Sequence, residues 1–410
     1  MLSWSTLSSY LSRISFSACL ALLFPLFTRQ FVIAQAVPHP AAVVSTDVRV
    51  PHEVTGDAPA DPGPLATNLS PKLKSPAIRD AMKKVANWQL SVAEPRFNRL
   101  WTYAALYDGL LAASKTTGDP AYRDAVVRYA EQQHWQLNID RFPHADDLAL
   151  AKAYLDIYLS ESPEQRKPEQ IAATKAFLDR MIARTDDPAK DLWWWSDALY
   201  MAPPVLANMY KITGNRKYLD FMDHEWSITT QHLYDPTEHL YFRDAGYLHQ
   251  TQANGRKLFW SRGNGWVFGG LVMVLDVLPA EDPLRPKYVQ LLRDMSDAVA
   301  AVQGSDGLWR TGLLDPGAYA LPENSGSAFF TYGIAYGINE HILDRKKFEP
   351  IVEKAWAGLL THVYANGRLG SIQPVGAAPG KFTASDSHIF GVGGFLLAGS
   401  ELDRMAGGKH

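Results

Sequence analysis

The chain has 410 residues, 47% hydrophobic and 20% charged, with a formal net charge of −3. That balance is globular and supplies a large core, which excludes a disordered or polybasic chain. One cysteine excludes a disulfide framework, and a mildly acidic chain without basic runs makes a poor partner for nucleic acid.

Residues 1–36 read as a signal peptide. Arg13 closes a weakly basic start, an apolar run extends from Ile14 to Phe27, and Ala34-Gln35-Ala36 fits a small-x-small cleavage site. A membrane anchor is the plain alternative, but the run is short for a span of about 20 residues and is broken by Pro25. A lipoprotein cleaved at Cys19 is a second alternative, which the apolar residues continuing beyond Cys19 argue against. Cleavage after Ala36 removes the cysteine, Arg13 and Arg29, so the mature chain has a net charge of −5 and no thiol chemistry. No later stretch is long and apolar enough to span a bilayer, so the expectation is an exported protein, periplasmic or extracellular, with no membrane contact once the signal is removed.

Residues 37–72, rich in Pro, Ala, Asp and Thr, read as a flexible arm, and residues 73–410 as the catalytic domain. Within that domain helical periodicity recurs over twelve segments: 75–92, 98–116, 119–134, 145–160, 166–184, 196–213, 215–232, 262–278, 283–303, 324–342, 346–364 and 388–403. Leu100–Ala113, which contains Tyr103, is apolar nearly all round, as is Gly265–Leu275; such helices must be buried on every side. Ala121–Glu131 has one apolar stripe and one charged face, the pattern of an outer helix. Thr117-Gly118-Asp119 and Thr213-Gly214-Asn215 recur between such helices: Gly can end one and the short polar residue can cap the next. Six hairpins of this kind closing into a ring give an (α/α)6 toroid, with an open helical solenoid as the rival. Strand content is minor, with short extended pieces expected at Leu240–Asp244 and Gly307–Arg310.

Several stretches carry chemistry. Phe142-Pro-His144-Ala-Asp146-Asp147 heads an inner-type helix, and its acids suit the positive end of a helix dipole, sugar hydroxyls, or a metal; no second ligand cluster supports the metal. Trp193-Trp-Trp195-Ser-Asp197-Ala-Leu-Tyr200-Met-Ala-Pro-Pro204 places Asp197 near a helix start among aromatic rings. Apolar surroundings raise a carboxyl pKa and make a general acid, whereas the plain alternative is a capping aspartate over a Trp-rich core. In Phe259-Trp260-Ser-Arg262-Gly-Asn264-Gly-Trp266 an arginine lies between two tryptophans. It can grip a carboxylate while the indoles stack on pyranose faces, or Asn264 can cap a helix and Arg262 enter a structural ion pair. The small residues Ser325–Ala328 fit close helix packing or substrate approach, and the glycine-rich His388–Ser400 lacks a dinucleotide fingerprint and reads as the last inner helix. Phosphate-binding loops and Gly-x-Ser-x-Gly elbows are absent from the sequence.

Taken together, Trp195-Ser-Asp-Ala-Leu-Tyr-Met-Ala-Pro-Pro204 and Trp260-Ser-Arg-Gly-Asn-Gly-Trp266 resemble the unsaturated rhamnogalacturonyl hydrolases of glycoside hydrolase family 105, relatives of the unsaturated glucuronyl hydrolases of family 88. The resemblance extends over His144–Asp147, Asp306–Trp309, Ser325–Ala328 and the C-terminal Gly391–Ser400. It implies an (α/α)6 barrel that removes a 4,5-unsaturated uronic acid from the non-reducing end of oligosaccharides by hydrating a vinyl ether, without cofactor or metal. One central carboxyl can then suffice, where ordinary glycosidases need a matched pair. It implies Asp197 as proton donor and water activator, with Asp147 as second acid and Asp146 as its rival for that place. By the same resemblance Arg262 holds the uronate, Trp260 and Trp266 form stacking walls, and His144, Tyr103, Trp195 and Tyr200 line the pocket. The segment before Asp197 and that around Tyr241–Asp244 lack a histidine found in some members, which bears on the exact sugar. The expected partner is therefore an oligosaccharide ending in an unsaturated uronate, galacturonyl-rhamnose from pectin first and a glucuronyl substrate from ulvan or a glycosaminoglycan second. A sugar epimerase and a non-catalytic glycan-binding toroid are the readings from other classes.

Overall fold

The computed structural model describes residues 56–185 and 191–407. The expected signal peptide and the first part of the expected arm lie outside those residues. Twelve helices of eleven or more residues account for most of what is described. Six are inner: α2 (Trp101–Thr117), α4 (Ala149–Ser160), α6 (Pro203–Thr213), α8 (Ser261–Leu275), α10 (Asn324–Asn339) and α12 (Ile389–Met405). Each touches the next, and α12 closes on α2. The other six lie outside them: α1 (Ser75–Ala93), α3 (Pro120–Gln132), α5 (Glu169–Ile182), α7 (Lys217–Leu233), α9 (Arg285–Ala300) and α11 (Arg345–Leu360). This is the (α/α)6 barrel, a closed ring and not a solenoid.

The inner–outer difference follows from composition. Every residue of α8 is buried, whereas α3 buries one stripe that includes Tyr122, Val126 and Tyr129. Inner helices also approach closely through glycine: a Cβ on Gly393 of α12 would sit 2.1 Å from the Ala105 carbonyl oxygen of α2. The Ser325–Ala328 stretch serves the same packing, since a Cβ on Gly326 would meet Ser261 Oγ at 2.8 Å.

The Thr-Gly turns behave as twins. Gly118 and Gly214 take φ values of 72° and 68°, the left-handed C′ conformation. Thr117 and Thr213 each donate back one turn, to Ala113 and Met209, and Asp119 and Asn215 accept from Ala121 and Lys217. The segment expected as one helix over 196–213 is broken instead: a one-turn helix, Ala198–Met201, stops at Ala202, and Pro203-Pro204 opens α6. Two prolines supply no N–H to continue the first turn, so the break is local chemistry.

Strands are short. β1 (Gly56–Asp57) pairs with β4 (Ser387–His388), and β2 (Tyr234–Asp235) with β3 (Leu240–Tyr241). Part of the arm is thus not loose. Besides β1, Ala66 N–H donates to Val363, Ala365 N–H donates to Pro64, and the buried Arg368 donates to the Pro62 carbonyl.

Candidate active site

Alternating inner and outer helices make all six inner helices run the same way, so their N-terminal ends meet at one mouth. The sequence motifs lie there: Trp101 opens α2, Ala145–Leu148 forms a 3-10 turn ahead of α4, and the one-turn helix after Asp197 precedes α6. Arg262 is in the first turn of α8, Asn324 starts α10, and His388 precedes α12. Ring contacts join these starts, with Trp101 5.7 Å from Phe390 and 5.8 Å from Trp266. Six helix N-termini around one opening favour an anionic guest.

Asp197 is 8% exposed, and its side chain makes no cap hydrogen bond to the helix that it precedes. The carboxylate is therefore not consumed by capping. Ser196 Oγ donates to Oδ2 at 3.4 Å, and Arg243 Nε stands 3.6 Å from the same oxygen. Burial pushes the carboxyl up from its ordinary pKa, while Arg243 and then Arg262 pull it down. An extended segment holds this arrangement: Trp195 bridges Asp244, and Ser196 N–H donates to the Arg243 carbonyl at 2.8 Å.

The acids before α4 divide. Both oxygens of Asp147 are taken by Arg141: Oδ1 accepts from Nη2 at 2.7 Å and Nε at 3.1 Å, and Oδ2 from the backbone N–H at 3.1 Å. Burial raises Asp147 and Arg141 opposes it. Arg141 thus holds the Asp147 carboxylate in place from both oxygens. Asp146 lies 3.5 Å from Arg141 Nη1 and 3.5 Å from His144 Nδ1. The His144 ring packs 4.5 Å from Trp195, so the two motifs share one wall.

Four other expected residues are buried in the structure. Arg262 is 1% exposed and lies between Trp260 and Phe390, 4.4 and 4.8 Å from their rings. Its guanidinium donates to the carbonyls of Gln373 and Pro374 at 2.6 and 2.7 Å, and Glu323 is 3.8 Å away. Burial lowers its pKa to about 10. It ties the first turn of α8 to the 373–374 loop and lends charge to Asp197. Trp266, 0% exposed, packs against Trp101, Tyr200 and Phe329 and has no free face for a sugar. Trp260 is buried and donates to Gln373 Oε1. Tyr103 is buried against Phe97 and Tyr107. Tyr200 N–H donates to the Asp197 carbonyl at 3.0 Å while its hydroxyl donates to the buried Asp108 at 2.8 Å.

Sequence reasoning missed Arg243, Asp244 and Trp194. Arg243 donates to Asp244 Oδ2 at 2.7 Å, and Asp244 accepts from Gly246 N–H at 2.8 Å. The signal was there: Leu240-Tyr-Phe-Arg-Asp244 puts an ion pair directly after three buried residues. Asn264 secures this segment, accepting from Tyr241 N–H at 2.8 Å and donating to its carbonyl at 3.0 Å. It is a staple, not the helix cap expected. Among the described residues no group of three or more His, Cys, Asp or Glu could hold a metal ion.

The Glycosyl Hydrolase Family 88 model matches residues 74–406. An unsaturated 3S-rhamnoglycuronyl hydrolase of Formosa agariphila is 40% identical over 347 residues, covering 80% of this chain and 91% of that protein. A solved glycosyl hydrolase of family 88 from Bacteroides vulgatus superposes with a TM-score of 0.74 at 33% identity, covering 81% of this chain and 99% of that one. Another solved structure, described as a polysaccharide lyase, gives a TM-score of 0.76 at 32% identity over 82% of this chain and 99% of that one.

Proposed function

The chain belongs to glycosyl hydrolase family 88, whose members hydrolyse unsaturated uronic acid glycosides, and on that premise we propose that Asp197 drives the reaction. Protonated Asp197 gives its proton to C4 of the 4,5-double bond, and positive charge develops at C5, shared with the ring oxygen. The Asp197 carboxylate then takes a proton from water as the water oxygen bonds to C5. The hemiketal opens to a ketone, C1 is left as a hemiacetal, and the aglycone leaves as an alcohol. Proton, water and double bond balance without a co-reactant. The observation that carries this reading is the buried, uncapped Asp197 carboxyl, raised by desolvation and held in check by Arg243. We assign Asp146 and His144 to the sugar hydroxyls and Arg243 to the uronate side.

Galacturonate and glucuronate differ at C4, and the double bond erases that centre. The pectin and ulvan readings therefore differ in anomeric linkage and aglycone, not in the terminal ring itself. The name of the Formosa relative favours rhamnose as the neighbouring sugar and a glycuronyl origin for the terminal one. Export rests on residues 1–36, and the N-terminal sequence of protein recovered outside the cytoplasm tests it: a start at Val37 supports cleavage after Ala36.

The decisive experiment follows the ultraviolet absorbance of the conjugated uronate with purified residues 37–410 and unsaturated uronyl-rhamnose oligosaccharides. A hydrolase consumes the double bond and absorbance falls. A lyase, the activity named for one structural relative, makes the double bond and absorbance rises with intact polysaccharide. No change in either direction removes both and leaves a glycan-binding toroid.

A further inference from the structure

Trp194 is 37% exposed, while its neighbours Trp193 and Trp195 are buried. It forms one side of a cleft of about 240 Å³ lined also by Arg141, Pro143, His144, Arg184, Asp191 and Leu192. That is just under the ~300 Å³ at which pockets for drug-sized ligands begin, so it suits one sugar ring and not a chain. The cleft adjoins the reacting centre through named contacts. The Trp194 ring lies 4.7 Å from Trp195, which packs on His144, and Arg243 lies over Trp194 at 5.5 Å while its Nε stands 3.6 Å from Asp197.

Depth orders the sugars. An enzyme acting on a chain end must bury the terminal ring, whose C4 and C5 meet Asp197, and let the remainder run outward to solvent. Asp197 is buried and Trp194 half-open, so the ring passing Trp194 is the second one. A part-exposed indole with charged side chains of both signs at its rim is the chemistry that recognises a pyranose. Because the double bond erases the centre at which the uronates differ, selection among substrates must come from the anomeric linkage and from this second ring.

Resting on the hydrolase reading above, we propose that Trp194 is the stacking platform of the aglycone subsite and sets which sugar next to the unsaturated uronate is accepted.

The test compares two substrates: unsaturated uronyl-rhamnose disaccharide and the methyl glycoside of the same unsaturated uronate. Trp194→Ala is expected to lower the ratio of kcat/KM for the disaccharide to that for the methyl glycoside by about tenfold, the order of one aromatic contact, with Trp194→Phe restoring most of it. Equal losses on both substrates, or no loss on either, overturn the proposal. Binding to Asp197→Asn, with and without Trp194→Ala, reads the same ratio as Kd. If the wild type turns over neither substrate, hydrolysis is wrong while the Kd ratio still decides the subsite.

Discussion

A carboxyl that must donate a proton near neutral pH has to resist ionising while the site rests, and at Asp197 burial does this while Arg243 limits it. Asp197→Asn is expected to lower kcat by about 10²–10⁴ while the thermal transition and disaccharide binding persist, since the amide fills the same space without a proton to give. Arg243→Gln removes the larger charge holding the Asp197 pKa down, so the acid form should survive to higher pH. The alkaline limb of the kcat profile then moves upward, and a downward move would contradict the placement of Arg243. Asp108 gives a stability counterpart. Burial raises its pKa to about 7, with Lys152 opposing. Above the unfolded pKa near 3.9 the native state holds a proton that the unfolded chain has released, so stability falls as pH rises from about 4 to about 7. Asp108→Asn removes that penalty while keeping an acceptor for Tyr200. Its denaturation midpoint should gain on the wild type across that window and level off above it.

At the scale of elements, the break between the one-turn helix and α6 places Asp197 on a short turn held from outside. Gly270 of α8 is the nearest support: a Cβ there would lie 2.0 Å from the Leu199 carbonyl oxygen. Gly270→Ala should therefore cost about 1–3 kcal/mol of stability by overpacking, and lower kcat by pushing the turn. Asn264 supports the facing segment. Asn264→Ala leaves the buried N–H and carbonyl of Tyr241 without this partner, at about 1–3 kcal/mol, and frees the strand that carries Arg243. Calorimetry reads the first effect, and a shifted pH profile reads the second. A variant that loses stability but keeps the wild-type profile would disconnect the staple from the site.

Over the whole molecule, the arm is part of the fold from Gly56 onward. Chain 67–410 should melt below chain 37–410, because removing residues 37–66 opens the β4 edge, takes the arm's bonds from the Val363 carbonyl and the Ala365 N–H, and takes the Pro62 carbonyl from the buried Arg368. Equal melting temperatures would show the arm to be passive. The ring itself was legible in the sequence: two classes of helix, the twin Thr-Gly turns and the motif at Asp197 need only local pattern and capping chemistry. The roles within the mouth were not. Arg262 and Arg243 both sit among aromatics, yet one ties a loop and the other faces the acid. Asp146 and Asp147 are neighbours, and only the position of Arg141 separates them. Periodicity tells which face of a helix is buried. An inner helix is buried all round, so periodicity is silent on which side chain turns to the opening and which to the next helix. The sequence thus determined the helix order, the turns and the motif that carries the proposed acid, Asp197. Tertiary packing alone decided which charged and aromatic groups surround it, because contacts between segments dozens of residues apart fix where each side chain points.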